Sequence, residues 1–438
     1  MSQTASSSNE PMEQVRRPMG PDFVRLFYQQ LEEEYDGDEQ RSTGLALALI
    51  RDAWRERATD IHIDPYTTGG MIRFRVDGNL LDAIYLSPDQ TRKITNQVKV
   101  LAQVDPVRSF VPHDARWTQQ MDDEHEFDIR LTTAPCITGE KIAMRLLDPL
   151  QAEQRISELG FCGMDERAIK EWLRSVNGMV LTTGPTGAGK TTTLYALLHE
   201  LKGRQRSIVT IENPIEYHVD GIVQMQVDER HDFTFPRAIK TMLRMDPDYM
   251  MVGEVRDPQS ARAAADAAMS GHVLMSTLHS RDAVGAVTAL RNWGLKNLEI
   301  AVCLSVVVAQ RLVRRLCNNC KATRKPTDEE ARWLDAMTLP VPDEVHQGEG
   351  CDQCRRLGYR GRIGVYELWR IDQEDYDLIL HGADEKTLYK ALQVKAHATL
   401  LHDALEKVVD GITSVAEMQS MGELVPPIQT GLKVAGGR

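Results

Sequence analysis

The chain has 438 residues, 42% of them hydrophobic and 26% charged, the balance of a globular protein with room for two or three domains. Its net charge of −12 argues against a surface built to follow nucleic-acid phosphates. No apolar run approaches the roughly 20 residues that span a bilayer, and the N-terminus has no apolar signal core. The expected location is therefore the cytoplasm, with attachment to the inner face of a membrane through partners.

In chain order, residues 1–40 read as a disordered or short docking segment, rich at first in Ser, Gln and Pro. Within it, Phe23, Leu26, Phe27 and Leu31 fall on one helical face, which suits either a docking helix or one packed on its own domain. Residues 41–150 mix helix and strand as a small α+β domain. Leu45–Arg57 and Gln90–Ala102 read as helices, and IHI, MIRFRV and NLLDAIYL as strands. Asp77-Gly78 marks a tight hairpin, and three more strands end at Arg145-Leu146-Leu147. Residues 151–163 read as a linker.

From 164 to 438 strands and helices alternate: strand Met179–Thr182, helix from Lys190, strand Ile208–Ile211, helix around Arg237–Met245, strand Tyr249–Val252, helix Gln259–Met269, strand Val273–Thr277. Such alternation predicts a parallel sheet covered by helices, with ligands at the carboxyl ends of the strands. Ile300–Ala309 reads as a buried helix, and the chain beyond about 295 as mainly helical around a cysteine insertion.

The chemistry concentrates at those strand ends. Gly184-Pro185-Thr186-Gly187-Ala188-Gly189-Lys190-Thr191 fits the phosphate-loop pattern G-x-x-x-x-G-K-[ST], between an apolar strand and a helix. The loop, extended to Thr192, predicts an ATP site. Its backbone N–H groups wrap the phosphates, Lys190 reaches them, and Thr191 ligates Mg2+. An ATPase with this loop normally carries an aspartate at the end of a neighbouring strand. Here DYMMVGEVRD puts Gly253 in that place and Glu254 next to it. The strand ending at Ile211 runs into Glu212 and Glu216, and the strand after DYMMV ends at His279, with His272 preceding it. Carboxylates and a histidine at neighbouring strand ends are candidates for metal and water positioning.

Of seven cysteines, Cys136, Cys162 and Cys303 are scattered and read as small buried hydrophobes. Cys317-Asn-Asn-Cys320 and Cys351-Asp-Gln-Cys354 are two C-x-x-C units separated by 30 residues, which predicts a closed, structural Zn2+ site of four thiolates.

Taken together, ATDIHIDP (58–65), RFRVDGNL (73–80), FDIRLTTAPCITGEKIAMRLL (127–147), GPTGAGKTTTLYALL, TIENPIEY (210–217), LRMDPDYMMVGEVRD (243–257), SGHVLMSTLHSRDA (270–283) and GYRGRIGVYEL (358–368) resemble the ATPases of type II secretion and type IV pilus assembly. The resemblance covers about residues 41–425. It implies a RecA-like P-loop ATPase domain preceded by a small PAS-like domain, with a helical C-terminal part that carries the tetracysteine zinc element.

It also implies a homo-hexamer in which Arg130 and Arg145 reach the γ-phosphate bound by a neighbouring subunit. Glu254 and Glu216 would orient the attacking water, Glu212 would assist through magnesium, His279 and His272 would sense the phosphate, and Arg362 would bind nucleotide. Arg73 and Arg75 are further basic residues of that region. The implied work is ATP-driven assembly of a pseudopilus or pilus, with an inner-membrane platform protein and other apparatus components as partners and no specific nucleic acid. A DNA-uptake or DNA-transfer motor, or a weakly hydrolysing scaffold, are the alternatives. Departures from the family pattern are Asn213 in the Glu-Asp-Pro box, Ala115 for a glycine, and Ala289 for an arginine. About 40 residues precede the small domain, where many members have a larger docking domain.

Overall fold

The computed structural model describes residues 19, 22–35, 43–108, 110–122, 125–148, 153–174, 178–203, 205–395 and 399–422. The expectation of disorder for the first residues falls almost wholly outside these. Contacts divide the chain into two compact units, Met1–Asp148 and Pro149–Arg438.

In the first unit, α1 (Arg25–Tyr35) and α2 (Gly44–Arg55) precede β1 (Ala58–Tyr66), β2 (Gly69–Val76) and β3 (Asn79–Leu86). Then come α3 (Pro88–Leu101), β4 (His113–Gln120), β5 (Glu126–Cys136) and β6 (Gly139–Leu147). The strands form one sheet in the order β3-β2-β1-β6-β5-β4. Asp77 and Gly78 both have positive φ (49° and 90°), so the β2–β3 hairpin turns through two left-handed residues, as the Asp-Gly pair favours. A capping box at Ser87 and Gln90 starts α3, with Pro88 in its first turn.

Alternation along β1 sends Ile61 and Ile63 into a core with Phe74, Ile129, Leu131 and Met144. Phe23, Val24 and Phe27 join that core, so α1 packs on its own unit. Fully burying a side chain such as Phe27 contributes about 1.5–3 kcal/mol. Asp52 of α2, itself buried, accepts the amide of Phe27 at 2.8 Å and fixes where α1 begins.

The second unit comprises α4 (Gly163–Trp172), β7 (Gly178–Thr183), α5 (Lys190–Leu201), β8 (Ile208–Glu212), β9 (Val223–Gln226), α6 (Phe235–Met242), β10 (Tyr249–Val252) and α7 (Pro258–Met269). It continues with β11 (Val273–Leu278), α8 (Ala283–Asn292), α9 (Asn297–Cys303), β12 (Leu304–Leu316), β13 (Lys321–Arg324), α10 (Asp328–Ala336), β14 (Val345–Gly348) and β15 (Tyr359–Arg370). Helices α11 (Gln373–Leu380), α12 (Glu385–Val394), α13 (Leu400–Val409) and α14 (Val415–Gly422) follow. The main sheet runs β15-β12-β7-β11-β10-β8-β9, parallel throughout except for β15, which is antiparallel to β12. Every residue of β7, β8, β10 and β11 is buried, which is why these strands read as continuous apolar runs.

Three readings change. Ile300–Ala309 is not one helix: α9 ends at Cys303 and the chain continues as a 13-residue strand. A short apolar run fits either state, and the β-branched Val306-Val307-Val308 favours the strand once β7 and β15 flank it. The chain beyond 295 therefore supplies two long strands to the sheet as well as helices. Ile156 and Leu159, in the stretch read as linker, are buried in the second unit. Cys136 is exposed at the end of β5 and Cys162 half-buried, whereas Cys303 is buried as expected. Among the described residues, no helix is long and apolar enough to cross a membrane.

Candidate active site

The phosphate loop leaves β7 and opens α5, with left-handed backbone at Gly187 (φ 80°) and Gly189 (φ 84°). Gly184 has no room for a side chain: a Cβ there would lie 2.5 Å from the Gln310 carbonyl oxygen. Gln310 and Arg311 of β12, which merely interrupt an apolar run in the sequence, form the floor of the loop. The Gln310 side chain donates to the Ala188 carbonyl (2.6 Å) and accepts from Thr193 (2.9 Å). Arg311 donates to the carbonyls of Gln310 (2.8 Å) and Arg281 (2.6 Å).

Lys190 is buried, and its ammonium donates to the carbonyls of Gly184 (2.6 Å) and Pro185 (3.1 Å) and lies 3.4 Å from His279 Nδ1. Burial pulls its pKa down to about 8, with the Glu254 charge working the other way. His279 is pushed below the ordinary imidazole range by burial and then by Lys190. Thr183 ties the loop after His279 to β7, accepting the Ser280 amide at 2.8 Å. The parallel order places the ends of β7, β11, β10 and β8 side by side, so Lys190, His279 and Glu254 share one edge. Thr191 is exposed in the first turn of α5 and Thr192 half-buried.

Gly253 follows β10, where a Cβ would meet Glu212 Cα and the Ile211 carbonyl at 3.4 Å. An aspartate there would set a second carboxylate against a buried one, a physical reason for glycine. Glu254, partly exposed, pairs with Arg256 at 3.2 Å. Asp257, the last residue of DYMMVGEVRD, caps α7 by accepting the Gln259 and Ser260 amides.

Of the expected site residues, one stands at the other edge of the sheet and another, at the site edge, is enclosed. His272 precedes β11, at the edge of the sheet opposite His279, because the six residues of β11 separate the two by about 20 Å of extended chain. Glu212 is only 3% exposed, and its carboxylate accepts from Tyr195 (2.6 Å), Thr210 (2.8 Å) and Gln224 (3.2 Å). Both of its oxygens are engaged by protein donors. Glu216 is half-buried in the loop that follows β8. Arg362 lies on β15 opposite Arg314 of β12, two positions beyond Leu312, whose methyl groups lie at 3.4 and 3.5 Å from where a Gly189 Cβ would sit.

In the first unit, Arg75, Asp60, Arg145, Arg130 and Arg116 stand in one cross-strand row, so they share a sheet face. Arg145 donates to Asp60 at 3.1 Å, and Arg73 pairs with Asp64.

Cys317, Cys320, Cys351 and Cys354 cluster with all sulfur atoms within 4.8 Å of one another. The separations of 3.8 Å (317–351), 3.7 Å (320–354) and 3.8 Å (351–354) match the edge of a tetrahedron with arms of about 2.3 Å, the Zn–S distance. The amides of Cys351 and Gly358 donate to Cys354 Sγ at 3.2 Å.

Sequence reasoning missed a buried network behind the site. Glu367 of β15 accepts the Ala283 amide (2.9 Å), and Tyr389 of α12 donates to Asp282 (2.6 Å), so α8 is fastened just after His279. Asp282 and Glu367 lie in quoted motifs, but nothing along the chain pairs them with Tyr389 and Ala283.

A helix-covered parallel sheet with a complete phosphate loop and a basic, carboxylate-bearing edge defines a P-loop ATPase. The sequence matches the family described as "Type II/IV secretion system protein" over residues 37–420, and the chain belongs to that family. It is 37% identical over 417 residues to type II secretion system protein E of Aeromonas hydrophila, covering 94% of this chain and 82% of that one. It is 40% identical over 374 residues to type II secretion system ATPase E of Vibrio cholerae, covering 85% and 74%. It is 36% identical over 386 residues to the type IV pilus assembly ATPase PilB of Myxococcus xanthus, covering 87% and 68%. The fold is shared with the Legionella pneumophila ATPase DotB (TM-score 0.66, 21% identity, 88% and 97% covered) and the pilus retraction motor PilT (TM-score 0.59, 22% identity, 88% and 98% covered).

Proposed function

We propose that the chain is the hexameric motor of a type II secretion or type IV pilus assembly apparatus, acting at the cytoplasmic face of the inner membrane on a platform protein. The observation that carries the chemistry is the meeting of Lys190, His279 and Glu254 at the mouth of the phosphate loop. Amides of the loop and the N-terminus of α5 hold the ATP phosphates, and Lys190 turns from the loop carbonyls to the phosphate oxygens. Magnesium, when bound, shields phosphate charge, and Thr191 is the residue that would hold it. Glu254 orients and deprotonates the attacking water, Glu216 assists from the loop after β8, and His279 registers the phosphate. Arg130 and Arg145 serve the site of a neighbouring subunit, supported by their shared row on an open sheet face. Arg362 contributes from β15 to nucleotide binding. The four thiolates hold one structural zinc, supported by their tetrahedral spacing.

Replacing Glu254 with Gln is the test. Turnover should fall by roughly two to four orders of magnitude while ATP affinity stays within about twofold. Unchanged turnover removes Glu254 from the mechanism. In parallel, Arg145→Ala should abolish turnover in hexamers while sparing nucleotide binding; full-rate hydrolysis by monomers refutes the cross-subunit role.

A further inference from the structure

We infer that Tyr195, Glu212 and Gln224 form a buried latch that sets the position of Glu216, and that Glu212 acts by positioning this loop and not by ligating metal. The inference rests on the reading of Glu216 as a water-orienting residue.

The chain leaves β8 at Glu212 and is pinned on both sides of Glu216. The Ile215 amide donates to Gln226 Oε1 at 3.1 Å. The Tyr217 amide donates to the Tyr195 hydroxyl at 3.3 Å, and the Tyr217 carbonyl accepts from Gln224 Nε2 at 2.9 Å. The other end of the Gln224 side chain accepts the Val219 amide at 2.8 Å.

The Tyr195 hydroxyl lies 2.6 Å from Glu212 and 3.1 Å from the Tyr217 carbonyl, yet it has one proton. The carboxylate, closer and charged, takes it. That leaves the hydroxyl oxygen to accept the Tyr217 amide and leaves the Tyr217 carbonyl to Gln224. Glu212 thus fixes which way the Tyr195 hydroxyl points, and through it the backbone beside Glu216. Burial raises the Glu212 pKa, while the three donors hold it down. The charge of Glu216 raises both Glu212 and Tyr195, which places it within electrostatic reach of the latch.

Tyr195 stands five residues after Lys190 on the same helix, so the latch joins the helix of the phosphate loop to the loop that carries Glu216. A magnesium ion keeps several waters and needs an open carboxylate, whereas Glu212 is buried beneath three donors.

The experiment compares Tyr195→Phe, Glu212→Gln, Glu216→Gln and the Tyr195→Phe/Glu216→Gln double variant in the full-length protein. We expect Tyr195→Phe to lower kcat about tenfold or more. KM for ATP and the half-saturating Mg2+ concentration should stay within about twofold, and the phenyl ring preserves the packing. The double variant should be no slower than Glu216→Gln alone, and amide exchange across 213–217 should rise in Tyr195→Phe. Losses that multiply in the double variant overturn the latch, as does unchanged amide exchange. A severalfold rise in half-saturating Mg2+ for Glu212→Gln restores it as a metal ligand and also overturns the proposal. Unchanged turnover in Glu216→Gln sinks the underlying reading of Glu216, whereas amide exchange reports on the latch without it.

Discussion

Glu367→Gln isolates a buried acid behind the site. Glu367 is 4% exposed on β15, its carboxylate accepting the Ala283 amide at 2.9 Å. Burial pushes its pKa from the ordinary 4.5 up to about 7, and Asp282 adds to the rise while Arg311 opposes it. Because the folded state holds this proton more tightly than the unfolded chain, the protonated acid stabilises the fold fully below pH 4.5. That contribution is lost as pH rises toward 7. Moving a carboxyl from 4.5 to about 7 corresponds to roughly 3 kcal/mol at ~1.4 kcal/mol per pH unit. Glutamine is neutral at every pH and keeps an oxygen for the Ala283 amide. The melting temperature of the natural protein relative to Glu367→Gln should therefore fall by several degrees between pH 5 and pH 8. Thermal unfolding followed by circular dichroism across that range measures it. Parallel curves for the two proteins would refute the argument.

Gly184→Ala should abolish binding of a fluorescent ATP analogue and lower the melting temperature, because a Cβ would sit 2.5 Å from the Gln310 carbonyl at a φ of 150°; retained binding contradicts the packing described. Cys351→Ser should reduce the zinc content from one per chain, measured by elemental analysis, with a loss of stability; a folded, active, zinc-free natural protein excludes the structural ion. Asp52→Ala leaves the buried Phe27 amide without its acceptor and should cost about 1–3 kcal/mol, seen as faster amide exchange in α1. Unchanged exchange there would show that apolar packing alone holds the helix.

By itself the sequence determined what local signals encode. The phosphate loop is legible because its glycines and Lys190 are contiguous. The β2–β3 hairpin follows from Asp77-Gly78, and the four-cysteine cluster from two C-x-x-C pairs. The strands β7, β8, β10 and β11 announce themselves as apolar runs, and their order places Glu254 and His279 at strand mouths. Tertiary structure decided the rest. It made Leu304–Leu316 a strand, because β7 and β15 were there to accept its hydrogen bonds. It enclosed Glu212 among Tyr195, Thr210 and Gln224, and set Gln310, Arg311 and Glu367 beneath the site against partners 30 to 122 residues away in the chain. A polar side chain acquires its role from the donors, charges and water around it, and for a buried group those neighbours are delivered by other elements, at separations that no pattern along the chain records.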